Sequence, residues 1–190
     1  TGMAGPRDVI DFWLEEVGEK GWYAGGEALD ALCRERWLGL WEEARAGALG
    51  PWRDGPEGAL AFLILTDQFP RNMHRGDALA FATDPSARTA AREAVAKGWD
   101  MAVEEPARQF FYLPFEHSEA LADQDWAVAL IAARIAAPSQ LIHARAHREV
   151  IARFGRFPFR NDALGRDTTE EEAAFLAEGG YGAVVRSLGG

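Results

Sequence analysis

Apolar residues recur along this chain at three- and four-residue spacings, between prolines that stand where helices begin and glycines that stand where they end. Strand-like alternation is nearly absent. A chain so written builds its core by packing helix on helix. We therefore expect an all-α fold of about eight helices in antiparallel pairs, a helical bundle or short helix-pair solenoid. One domain is expected over residues 3–190, and Thr1-Gly2 ahead of Met3 reads as the remnant of an expression tag.

Pro6 opens a first helix in which Val9, Ile10, Trp13, Leu14 and Val17 share a face, with Gly18 and Gly21 as its stop. A second runs over residues 27–46, with Leu29, Leu32, Cys33, Trp37, Leu40, Trp41 and Ala44 inward. Residues 49–56 are turn-rich. A third helix follows from Pro56, apolar almost all round, so it should be the most buried; Pro70 should end it. Asp84 reads as an N-cap before Pro85, for a helix ending near Gly98. Pro106 should begin a short helix that Pro114 cuts off. Ser118 is expected to cap a helix through Ala136, with Leu121, Trp126, Ala129, Leu130 and Ala133 on one face. Pro138 opens another, closed by Gly155, and Thr169 with Glu172 forms a capping box for a last helix through Ala177.

The formal charge of −10 disfavours nucleic-acid and anionic-membrane partners, which need a basic face. The charge is uneven: residues 139–166 hold Arg145, Arg148, Arg153, Arg156, Arg160 and Arg166 against Glu149 and Asp162, while acids crowd residues 8–57. A positive locality in an acidic protein suits a small anion or a carboxylate. No run approaches the roughly 18 apolar residues of a membrane span. Cys33, the single cysteine, lies in a core pattern, and the chain is expected in the cytoplasm.

Two corners echo one another. Gln68-Phe69-Pro70-Arg71-Asn72 and Arg156-Phe157-Pro158-Phe159-Arg160-Asn161 both leave a helix through a Phe-Pro wedge into Arg-Asn. As a clamp, Arg71 and Arg160 would offer guanidinium forks, with Asn72 and Asn161 orienting the ligand. Read structurally, such arginines satisfy helix-end carbonyls and such asparagines fit turns. Asp67 and Gln68 end the apolar third helix, and a buried Asp67 requires a cation such as Arg71, Arg156 or Arg166.

His117 would project from the N-terminus of the helix that Ser118 caps, which would keep it neutral. Glu119 and Gln124 follow it. His143 and His147 share a face at i, i+4, but the intervening Ala-Arg-Ala lacks the glutamate of a zinc-protease helix, and flanking arginines disfavour a cation. No metal or cofactor is expected: there is no phosphate loop, Rossmann turn, nucleophile elbow or paired-cysteine motif. His147 is expected to face the same cleft as Arg160.

Three polar blocks in order, residues 65–72, 114–119 and 154–161, resemble a bacterial family known as domain of unknown function 924. The likeness extends from Val9-Ile10-Asp11-Phe12-Trp13 to Gly165-Arg166 and Thr168-Thr169-Glu170-Glu171-Glu172. The resemblance implies a tetratricopeptide-like helical fold and no particular activity. Where the family often has Phe-Pro-His-Arg-Asn, this chain has Phe159 in the histidine's place. The expected function is binding of a small anionic ligand or acidic peptide end by Asp67, Gln68, Arg71, Asn72, Gln124, Arg156, Arg160, Asn161 and Arg166. Two alternatives stand beside it: an enzyme with His117 or His147 as general base, oriented by Asp67 or Glu119, and polar blocks that only specify the fold.

Overall fold

The computed structural model describes residues 4–190, so Thr1-Gly2 and Met3, the first residue of the expected domain, lie outside the described residues. The chain divides into two compact units, Thr1–Pro114 and Phe115–Gly190. Among the described residues every regular element is helical. The all-α expectation is met. Tetratricopeptide-like stacking is not confirmed, for π and 3-10 segments repeatedly interrupt the α-helices.

In the first unit, α1 (Pro6–Ile10) passes into a π segment (Asp11–Val17), and Gly18, at φ 68°, breaks the run before α2 (Gly18–Ala24). The wider turn changes the inward face: Phe12 joins Val9, Ile10 and Trp13 in the core, while Leu14 and Val17 are half-buried. Gly21 lies within α2 rather than stopping it. α3 (Glu27–Arg45) buries Cys33, Trp37, Leu40, Trp41 and Ala44 as expected, but Leu32 is exposed and Asp30 buried. Cys33 is wholly enclosed, and burial pushes its thiol up to about 12, as befits a packing residue.

After a 3-10 turn (Gly50–Asp54), α4 (Pro56–Leu63) leads into a second π segment (Ile64–Gln68). Every residue from Ala59 to Asp67 is buried, and α4 packs against α1 and α6 (Asp84–Ala96). This is the central helix that the sequence predicts. Pro70 does not end it: α5 (Phe69–Met73) continues directly. The Phe69 amide bonds Ile64 O five residues back, and the loosened turn absorbs the donor that Pro70 lacks. α6 begins under Thr83, with Asp84 already helical. Asp84 does not cap because its carboxylate is turned to Arg71. Two further 3-10 turns (Trp99–Ala102 and Ala107–Phe111) follow Gly98 and Pro106, and Pro114 falls inside α7 (Leu113–Glu116).

The second unit packs α8 (Leu121–Arg134) against α9 (Pro138–Phe154), and α11 (Gly180–Ser187) against α9; α10 (Glu170–Ala177) lies against the 3-10 turn Pro158–Arg160. Gly155 closes α9 at φ 73°, and the Thr169–Glu172 box caps α10, both as predicted. Ser118 does not cap α8. The inward face of α8 is Gln124, Ala127, Leu130 and Ile131, while Leu121, Ala129 and Ala133 face outward. The sequence reading stopped at Gly179-Gly180 and missed α11.

Candidate functional site

The two Phe-Pro-Arg-Asn corners fall in different units, and each has its own surroundings. In the first, the π segment presents Asp67 one turn ahead of Arg71. Arg71 grips Asp84 bidentately at 2.8 and 3.0 Å, donates to Asp67 O at 2.8 Å and reaches Asp67 Oδ1 at 3.4 Å. Burial works to lower the Arg71 pKa, but Asp67 and Asp84 outweigh it and hold the guanidinium charged. Gln68 Nε2 donates to Asn72 Oδ1 at 3.0 Å, and Asn72 Nδ2 to Asp30 at 3.0 Å. Arg75 forks onto Asp30 at 2.8 and 3.0 Å, and that hydrogen bonding, chiefly, holds the Asp30 carboxyl below its ordinary range. Arg71 is thus tied to Asp67 and Asp84, and Asn72 separately to Asp30, which the exposed Arg75 also grips. Asp30 and Arg75 gave no sequence signal beyond charge, and Asp84 gave that of a helix cap.

In the second unit one side chain bonds three of the four carbonyls from Phe115 to Ser118. Gln124, fully buried, aims Nε2 at Phe115 O, Glu116 O and Ser118 O, at 3.3, 2.7 and 2.6 Å. Ser118 Oγ donates to Asp123 at 2.6 Å and accepts from Ala120 N. His117 therefore sits in a turn ahead of α8 and not at its N-terminus, so the helix field expected to govern it does not apply. Gln124 is a brace for that turn.

His147 lies on α9, half-buried. Its Nδ1 is 2.8 Å from His143 O, a pure acceptor, so Nδ1 carries the hydrogen and Nε2 the lone pair. Tyr181 Oη is 3.3 Å and Glu116 Oε1 3.4 Å from the same nitrogen. Burial first, then the neighbouring His117, His143 and Arg160, drive the His147 pKa down to about 3, against the hydrogen bond to the His143 carbonyl, which raises it. The ring is neutral at pH 7. Its centroid is 6.0 Å from that of His117, and its edge meets Phe157 at 5.7 Å. Arg160, buried, lays its guanidinium over the same Phe157 ring at 4.5 Å and donates to His117 O at 2.9 Å. The structure thus brings His147 and Arg160 onto one aromatic ring, with His117 beside both.

The other predicted residues support this cluster. Glu119 meets Arg166 through both oxygens, at 2.8 and 3.2 Å, and accepts from Phe157 N at 2.6 Å. Burial raises its pKa, and Arg166 with the Phe157 amide reverses that, leaving it lowered. The carboxylate beside His147 is Glu116, not Glu119. Arg166 also bonds Phe157 O and Asn161 Oδ1, while Asn161 Nδ2 reaches Thr168. Arg156 forks onto Glu172 at 2.8 and 2.7 Å. Sequence reasoning missed Glu116, which stood in the quoted block, and Tyr181, which lies on the unforeseen α11. Among the described residues no group of three or more His, Cys, Asp or Glu could hold a metal ion, and no helix is long and apolar enough to cross a membrane.

The family model for "Bacterial protein of unknown function (DUF924)" matches residues 9–180. The solved structure of a protein of unknown function from Agrobacterium tumefaciens, ATU0120, is 43% identical, with a TM-score of 0.87 over 92% of this chain and 97% of that one. No curated protein matches the chain.

Proposed function

The chain belongs to DUF924, a bacterial family of unknown function, and we propose that this member binds a small carboxylate monoanion, free or at a peptide end, at the His117–His147–Arg160 cluster of its second unit. The observation that carries the reading is the Phe157 floor, where a guanidinium at 4.5 Å and an imidazole at 5.7 Å meet one ring. A guanidinium supplies charge and paired donors, and a neutral imidazole supplies one acceptor of fixed direction. The buried Glu116, 3.4 Å from His147, limits how much negative charge the cluster takes. That favours a monoanion over a phosphate dianion. Arg71, Arg156 and Arg166, each held by its own acid, act in this reading as framework.

A thermal-shift series with acetate, propionate, benzoate, inorganic phosphate and an acetylated tripeptide tests the proposal. A ligand at a hundred times its Kd adds about 2.7 kcal/mol, which is roughly 5–11 °C of Tm in a chain of this size. At least one carboxylate should give such a shift, phosphate should give less, and Arg160→Gln should abolish it while Arg153→Gln does not. A flat response across the series in the unaltered protein sinks the reading.

A further inference from the structure

We infer that the cluster moves a proton as well as holding an anion: His147 accepts one from the bound ligand through Nε2, and Tyr181 with His143 passes one from Nδ1 to water. This rests on the carboxylate site proposed above. The geometry is a chain of three rings. His147 Nδ1 stands 3.3 Å from Tyr181 Oη, and Tyr181 Oη stands 2.6 Å from His143 Nδ1. The Tyr181 ring lies 4.8 Å from that of His147 and 5.9 Å from that of His143. His147 Nδ1 carries hydrogen, because its nearest partner, His143 O, only accepts. That one hydrogen is shared, with His143 O on the shorter arm and Tyr181 Oη on the longer, so Tyr181 Oη accepts from His147 by the longer arm and donates to His143. His143 then keeps its own hydrogen on Nε2, and the residue is exposed to solvent. The direction is fixed from the buried end to the open one.

The step balances. The carboxyl proton of a ligand that enters as the neutral acid goes to His147 Nε2 and leaves its electron pair on the ligand, which is then the bound monoanion. The Nδ1 hydrogen passes to Tyr181 Oη, the phenolic hydrogen to His143 Nδ1, and the His143 Nε2 hydrogen to water. His147 ends neutral with its hydrogen on Nε2, and the reverse sequence resets it while returning a proton to the ligand. The relay answers a difficulty in the site. An imidazole held near pKa 3 is a poor resting place for a proton at pH 7, but here no imidazolium need persist in the buried position. Facing His147 are Glu116 from α7, His117 from the following turn, Arg160 from residues 158–160, and His143 and Tyr181 from α9 and α11. Of these, Tyr181 bridges it to an exposed base.

The experiment reads the protein without ligand, so it is independent of whether a carboxylate binds. In uniformly 15N-labelled protein, two-bond 1H–15N spectra assign the tautomers of His143 and His147, and saturation transfer gives the exchange rate of the His147 Nδ1 hydrogen with water. The relay requires Nδ1–H at His147, Nε2–H at His143, and exchange slowed on the order of tenfold by Tyr181→Phe. His143→Gln, at an exposed position, removes the terminal base and should slow it similarly. A merely structural Tyr181 gives the opposite result: Tyr181→Phe loosens α11 and exchange is unchanged or faster. That outcome, or an Nε2–H tautomer at His147, overturns the inference.

Discussion

His147 is neutral because burial costs its charged form more than the hydrogen bond to the His143 carbonyl repays, and this ties the fold to pH. The unfolded chain takes up a proton on this residue near pH 6.5, and the folded one near 3, so between those values the unfolded state binds more. His147 thus withdraws stability as pH falls below 6.5, on the order of 1 kcal/mol per pH unit. Replacing it with Gln should flatten the stability profile from pH 6.5 to 4.5 relative to the unaltered protein, by urea melts at each pH; an unchanged slope contradicts the assignment. Arg71→Ala leaves Asp67 and Asp84 buried without their guanidinium. It should cost about 3–5 kcal/mol by equilibrium denaturation, with Asp84→Asn recovering part of it in the double variant. That Asp67 needs a cation was legible from burial cost, with Arg71 one of three candidates beside Arg156 and Arg166. Asp84 was not, since a carboxylate before proline also makes a good cap, and only tertiary placement decides between the two uses.

At the level of elements, α10 shows how far local rules reach. Thr169 and Glu172 exchange hydrogen bonds as their spacing predicts, and Glu172 also receives the Arg156 fork. That fork, above all, brings the Glu172 carboxyl down to about 2. Thr169→Ala should cost about 1 kcal/mol, the usual worth of a cap, and Glu172→Ala about 2–3 kcal/mol because a charged pair goes with the box. Both are read from thermal or urea melts, and equal costs would deny Arg156 any part. The helices were legible wherever apolar spacing, proline and glycine agreed, as in α9. They were misread where a polar residue belongs to the buried face. Asp30 in α3 and Gln124 in α8 are buried because partners distant in sequence, or the main chain just ahead, satisfy them. A hydrophobicity pattern assigns such residues to solvent and rotates the inferred face.

Across the molecule, the apolar run from Ala59 to Leu65 dictated the centre of the first unit, and Leu65→Ala should cost about 2–5 kcal/mol by denaturation, as a fully enclosed leucine does. A cost below 1 kcal/mol would mean the interior collapses onto the gap. The candidate site in the second unit was half legible: its histidines and Arg160 were named, while Glu116 and Tyr181 emerged only from packing. The π turn over Ile64–Gln68 extends this lesson to the bookkeeping of sequence itself. An α-helix turns roughly 100° per residue, so deleting one residue there would mend the irregular turn and swing everything after it by about that angle. Arg71 would leave Asp84, and Asn72 would leave Asp30. A gap of one position in an otherwise faithful relative would therefore weigh more than many substitutions, since it would sever the ties that join this helix to α3 and α6.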